Sequence, residues 1–382
     1  MTDLENNKIK EESLEGQDLS FALASGAKTS NMPVRRQLAI VALLLIGVFG
    51  FGASALWLGG DGGGNDNQAA SLSESVVSGE DKTDTERISF DDLELLAQGA
   101  IVIDVSSGRV LYQKAPDESL PLASITKLMT ALVASEVVED GAVISVTTSA
   151  LNQSGDSGLG EGEQFSYKNL SDLMLLISSN DGAYALSAYV GGSLDQNSPE
   201  VAFVKAMNVR AKELGLSQTS FRNPTGLDIS PTEAGAYGSA RDVAKLMEYI
   251  LKNSPELLEV TTYIDTAVYN EAGIFHQADN TNYVVDAIPH TIASKTGYTT
   301  LAGGNLVVAF DAGLNRPVIA VVLGSTHQGR FSDILKLVEA AKTEILNKEV
   351  KAKDNLRMGN QSSLYQWVLG ALINRSIDQL NS

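Results

Sequence analysis

No cysteine occurs among the 382 residues. This excludes disulfides, thiol nucleophiles, Cys-ligated zinc and a lipid-modified cysteine anchor. Positive charge is scarce: 28 Lys and Arg face 47 Asp and Glu, a formal net charge of −19. Nucleic acid is not an expected partner, because phosphate binding needs clustered Lys and Arg. Histidine occurs three times, at His276, His290 and His327, and H-E-x-x-H is absent. A zinc hydrolase of that kind is excluded, and no other pattern calls for a metal or a cofactor.

Apolar residues are ample at 43%, and charged residues make up 20%, which is ordinary for a globular chain. The length allows one large domain or two ordinary ones. Charge vanishes altogether in residues 38–58, "LAIVALLLIGVFGFGASALWL". A bilayer core is crossed by about 20 apolar helical residues. Arg35 and Arg36 precede the run, and the next basic residue is Lys82. The asymmetry places the N-terminus in the cytoplasm and the bulk of the chain outside. The expectation is a cell-membrane protein with one transmembrane anchor (37–58), a disordered cytoplasmic tail (1–36) and an extracytoplasmic remainder. A cleaved signal peptide ending at Ala53-Ser54-Ala55 is the competing reading. Residues 59–88, rich in Gly, Ser, Asp and Glu, read as a flexible linker.

The folded part is expected over 89–348. "GAIVIDV" (99–105) and "RVLYQK" (109–114) are β-type runs joined by Ser106-Ser107-Gly108, a hairpin signal. Helical patterns dominate 122–250, including 170–190, 201–216 and 240–253. The polar Ser178-Ser179-Asn180-Asp181-Gly182 interrupts the first of these. β-type runs return at 290–299, 304–312 and 317–325, and a last helical pattern covers 331–348. Short turns imply antiparallel pairing. The spacing predicts an α+β domain: one antiparallel sheet, made of the first hairpin and three C-terminal strands, covered by helices. In the tail 349–382, residues 362–380 carry an apolar face that suits either a membrane surface or docking on the domain.

In "LASITKLMTALV" (122–133), Ser124 and Lys127 share one helical face at i, i+3. A serine becomes a nucleophile when a base takes its proton, and a lysine made neutral by burial or by a second cation is such a base. The bland alternative is an N-cap serine with a lysine snorkelling to solvent. Alone the pair is a weak signal, since Ser25 and Lys28 show the same spacing in the tail. Ser178-x-Asn180 and Lys295-Thr296-Gly297 complete an ordered set, S-x-x-K, S-x-N and K-T-G, in helix, loop and strand.

On these motifs, and on "GAIVIDVSSGRVLYQK", "FRNPTGLD", "SARDVAKLM" and "SKTGYTTLAGGNLVVA", the chain resembles the serine D-alanyl-D-alanine carboxypeptidases, the low-molecular-mass penicillin-binding proteins. The resemblance implies a serine β-lactamase/DD-peptidase-like fold, with a five-stranded antiparallel sheet, a helical subdomain and the active site between them. It implies that Ser124 is acylated, that Lys127 is its base, and that Ser178 and Asn180 relay protons and hold the substrate amide. Lys295 would supply positive field, and Thr296 and Arg330 would bind the terminal carboxylate. Gly297 would admit the substrate backbone, and the N–H groups of Ser124 and Tyr298 would form the oxyanion hole. The implied partners are peptidoglycan stem peptides, β-lactam inhibitors and the cytoplasmic membrane. Endopeptidase action on cross-links is the nearest rival, and a non-catalytic wall-binding protein is the non-enzymatic one. A class A β-lactamase would need a deacylating glutamate, for which Glu213 is the nearest candidate. "SGDSGLG" (154–160) looks like a chymotrypsin-type nucleophile segment. All three histidines follow Ser157, however, which is the wrong order, so the segment reads as a Gly-rich loop near the cleft.

Overall fold

The computed structural model describes residues 89–313 and 315–348. The expected tail, anchor and linker, and the segment 349–382, lie outside the described residues.

Five strands form the central sheet: β1 (Gly99–Asp104), β2 (Arg109–Lys114), β3 (Thr291–Thr299), β4 (Gly303–Asp311) and β5 (Pro317–Ser325). They lie in the order β3-β4-β5-β1-β2, and every pairing is antiparallel. Alternate residues of each strand face opposite sides, and both sides are covered. Val307, Ala309, Ile319 and Val321 join the larger apolar core, with the helices of the middle of the chain. Leu306, Val308, Val318 and Ala320 join a second core with Ile334, Leu337, Val338 and Ala341 of the last helix. Burial on both faces is why these strands read as continuous apolar runs rather than alternating ones.

The helices are α1 (Lys127–Val137), α2 (Tyr167–Leu176), α3 (Asn180–Leu194), α4 (Pro199–Glu213), α5 (Ala240–Asn253) and α6, which covers 329–348. The interrupted pattern at 170–190 resolves into α2 and α3, parted at Ile177–Ser179. Ser179 caps α3 by accepting from the Gly182 N–H at 2.9 Å, a favoured use of serine at a helix start. Helix α6 begins two residues before the sequence pattern predicts. Its Asp333 is fully buried and accepts from the Leu96 and Ala97 N–H groups and from the Ser325 hydroxyl. That bonding ties α6 to the start of β1 and the adjoining end of β5.

One hairpin was not legible: Asp265–Tyr269 paired with Phe275–Asp279. Its outward residues Tyr269 and Phe275 are exposed, so the hairpin buries too few apolar side chains to show a strand period.

Candidate active site

Strand β3 lies at the sheet edge, and its free side faces the start of α1. The chain enters through Ala123, held at φ 48, and a 3-10 turn over Ala123–Thr126. A left-handed alanine costs about 1–2 kcal/mol, and the surroundings hold it there. Leu122, Ile125, Leu128 and Met129 are buried. The Asn305 amide on β4 donates to the Pro121 and Leu122 carbonyls, each at 2.9 Å. The loop "NPTGLD" supports the turn from the other side. Gly226 sits at φ +81, and a Cβ there would lie 1.9 Å from the Ala123 carbonyl oxygen. Only glycine satisfies both conditions.

Ser124 is half-buried on this turn. Lys127 is fully buried, not snorkelling. Its Nζ contacts Ser124 Oγ at 2.9 Å and also donates to Asn180 Oδ1 at 2.7 Å and to the Thr225 carbonyl at 3.0 Å. Burial, and then the field of Lys295, hold its pKa well below the usual lysine value, with Asp181 acting in the opposite sense. The bland reading of the pair fails on this geometry.

The second motif arrives between α2 and α3. Ser178 takes φ 63, another left-handed non-glycine position beside the chemistry. Its hydroxyl accepts from Lys295 Nζ at 2.9 Å. Asn180 turns its other amide atom away, donating to the Ser154 carbonyl at 2.6 Å. The loop 154–160 therefore borders the site, as its glycine content suggested.

Strand β3 supplies the rest. Lys295 is 1% exposed, and burial followed by the charge of Arg330 lowers its pKa to about 7. The Thr296 hydroxyl pairs with that of Thr281 at 2.6 Å. A Cβ on Gly297 would meet the Leu122 carbonyl at 2.9 Å and the Ser124 N at 3.1 Å, so this glycine lets the strand pass close to the turn that carries Ser124. Tyr298 is exposed, with its ring edge-on to His327. Arg330 is not a solvated helix-end charge. It is 4% exposed, donates to the Gly297 carbonyl at 2.9 Å and lies over the Phe331 ring. Burial lowers its pKa, and among the described residues no carboxylate pairs with it.

All nine residues singled out in the sequence thus converge on one site. Beyond Tyr298 a cleft of about 640 Å³ continues, lined by Asn152, Ser154, Tyr184, Asn223 and Asp228 among others. Asp228 accepts from the Thr299 hydroxyl and the Leu301 N–H, fixing the β3–β4 turn against its wall. Sequence reasoning missed the backbone acceptors Thr225 and Ser154 and the Thr281 hydroxyl. The Gly of "NPTGLD" was a usable signal for the first, whereas nothing local marks Thr281. Glu213 lies outside the site: it is exposed and ion-paired with Arg210 at 2.9 Å. Among the described residues no group of His, Asp or Glu side chains is arranged to hold a metal.

Known proteins resemble the chain in sequence and in fold. The chain is 35% identical over 252 residues to a D-alanyl-D-alanine carboxypeptidase of Bacillus subtilis, covering 64% of this chain and 62% of that protein's length. It is 30% identical over 258 residues to a D-alanyl-D-alanine endopeptidase of Escherichia coli, covering 65% of this chain and 79% of the other. Among solved structures, penicillin-binding protein D2 of Listeria monocytogenes in its ampicillin-bound form superposes with a TM-score of 0.56. It is 29% identical, and the match covers 65% of this chain and 98% of that one. A mutant of the Streptomyces K15 DD-transpeptidase gives a TM-score of 0.58 at 26% identity, with the same coverage. Residues 84–327 match the D-alanyl-D-alanine carboxypeptidase family of peptidases, and the chain belongs to that family.

Proposed function

We propose that the chain is a serine DD-carboxypeptidase that removes the terminal D-alanine from peptidoglycan stem peptides through an acyl-enzyme on Ser124. The observation that carries this reading is the fully buried Lys127 amine, 2.9 Å from the Ser124 hydroxyl. With its pKa depressed, the amine is neutral more readily than an ordinary lysine, and in that form it takes the serine proton as Oγ attacks the penultimate D-alanyl carbonyl. A peptide adds along the free edge of β3, which brings that carbonyl beside the Ser124 N–H for oxyanion stabilisation. Arg330, buried without a carboxylate partner, and the Thr296 hydroxyl receive the terminal carboxylate. Ser178, bonded to Lys295, relays the proton that Lys127 took to the departing amine, which leaves Lys127 neutral again. The C–N bond breaks, D-alanine leaves, and water then attacks the ester with Lys127 again as base.

β-Lactams present a similar carbonyl and carboxylate and acylate the same serine. The surface position of Glu213 argues against a β-lactamase, since it cannot activate a deacylating water. Endopeptidase action is the second reading, favoured by the E. coli relative. Incubation with a pentapeptide muropeptide and with a cross-linked dimer, read by mass spectrometry, separates the two. The composition of residues 38–58 and the flank Arg35-Arg36 support tethering to the cytoplasmic membrane with the catalytic domain outside. Protease added to intact spheroplasts should then remove the catalytic domain. Full protection would contradict that topology.

A further inference from the structure

The proposed reaction leaves one buried charge unused. Asp181, the residue after Asn180, is 2% exposed, and its Oδ1 has no partner. Its Oδ2 accepts from the Ser157 N–H at 3.3 Å. The Ser157 hydroxyl accepts from Ser179 Oγ at 2.8 Å, which leaves its own proton free for the Asp181 carboxylate. Ser179 Oγ in turn accepts from the Gly182 N–H. Asn180 donates to the Ser154 carbonyl three residues earlier on the same loop. The loop 154–157 is therefore stitched to residues 179–182 at two points. Asn180, held by one stitch, holds Lys127.

A buried carboxylate with a bare oxygen is costly to retain, and a structural clamp on Ser157 needs no charge. We propose that Asp181 is a positioning residue for Lys127. Through Ser157 it fixes the loop whose Ser154 carbonyl orients Asn180, and its charge opposes the larger effects of burial and Lys295 on the Lys127 amine. This rests on the reading of Lys127 as the base for Ser124. The charged groups acting on Lys127 are Lys295 on β3 and Asp181 itself. Burial raises the Asp181 pKa, the Ser157 bonds lower it, and the charges of Asp156 on the loop and Lys127 on α1 act in opposite senses, while Arg330 on α6 acts on Lys295.

The test uses the full chain and a fluorescent penicillin, with the second-order acylation rate measured from about pH 5 to about pH 9. Asp181→Asn keeps the shape and an acceptor for the Ser157 N–H but removes the anion that favours protonated Lys127. The acid limb of the profile should move to lower pH, by about threefold or more in proton concentration. Ser157→Ala keeps the charge and loosens the loop, so its rate should fall several-fold at every pH with the limb unmoved. A merely structural Asp181 would lower the rate without moving the limb, and that result overturns the proposal. Ser157→Ala acylating like the parent overturns it too, and this variant reports even if Asp181→Asn folds poorly. A parent chain that takes up no penicillin would instead defeat the proposed reaction itself.

Discussion

Lys127→Met tests the base directly. Methionine keeps most of the volume and removes the amine. The half-buried Asn180 Oδ1 and the buried Thr225 carbonyl then lose their donor, at about 1–3 kcal/mol for the buried carbonyl and less for the amide. Relief from burying an ionisable group offsets part of that, so the variant should fold with a lowered Tm. Ser124 stays in place without a proton acceptor, and loss of a general base typically slows the step by about 10²–10⁴-fold. The parent's acylation rate should fall as pH drops through the depressed Lys127 pKa, because only the neutral amine accepts a proton. The variant should show no such acid limb. Acylation by labelled penicillin, measured across pH and paired with circular dichroism, reads both effects. A folded variant that acylates within about threefold of the parent, or keeps the parent's acid limb, would refute the reasoning.

Other consequences follow from the same geometry. Lys295 is protonated in the unfolded chain up to its ordinary pKa but titrates near 7 when folded. The unfolded state therefore binds more protons between about pH 7 and pH 10, and stability rises with pH there by at most about 1.4 kcal/mol per unit. Lys295→Met should flatten that rise in urea titrations, and an unchanged slope would contradict the assignment. Gly226→Ala forces a Cβ onto the Ala123 carbonyl and should lower Tm and penicillin labelling together. Normal labelling would show that the turn tolerates displacement. Penicillin-acylated Ser124 should persist for minutes or longer in a chase followed by intact-protein mass, since Glu213 is remote. Rapid return to the free mass would favour a β-lactamase.

Much of this was legible in the sequence because the chemistry is local in sequence: Ser124 and Lys127 lie one turn apart, and Lys295-Thr296-Gly297 follow one another. The sheet was legible because strands buried on both faces leave long apolar runs ended by short turns. Two kinds of feature were not. The hairpin at 265–279 exposes its apolar residues and shows no period. The backbone carbonyls of Thr225 and Ser154 act whatever side chain they carry, so no residue type announces them. The protonation of Lys127 likewise needs its distances to Lys295 and Asn180, which adjacent sequence does not contain.

The central claim, that Ser124 carries a D-alanyl acyl-enzyme, is tested most directly by incubating the parent chain and Ser124→Ala with a D-Ala-D-Ala pentapeptide and measuring released D-alanine. The parent should release D-alanine over many turnovers. The variant should release none while remaining folded, because the half-buried Ser124 side chain caps no helix and its loss removes only the contact with Lys127. Release by the Ser124→Ala variant, or none by the folded parent, would contradict the account.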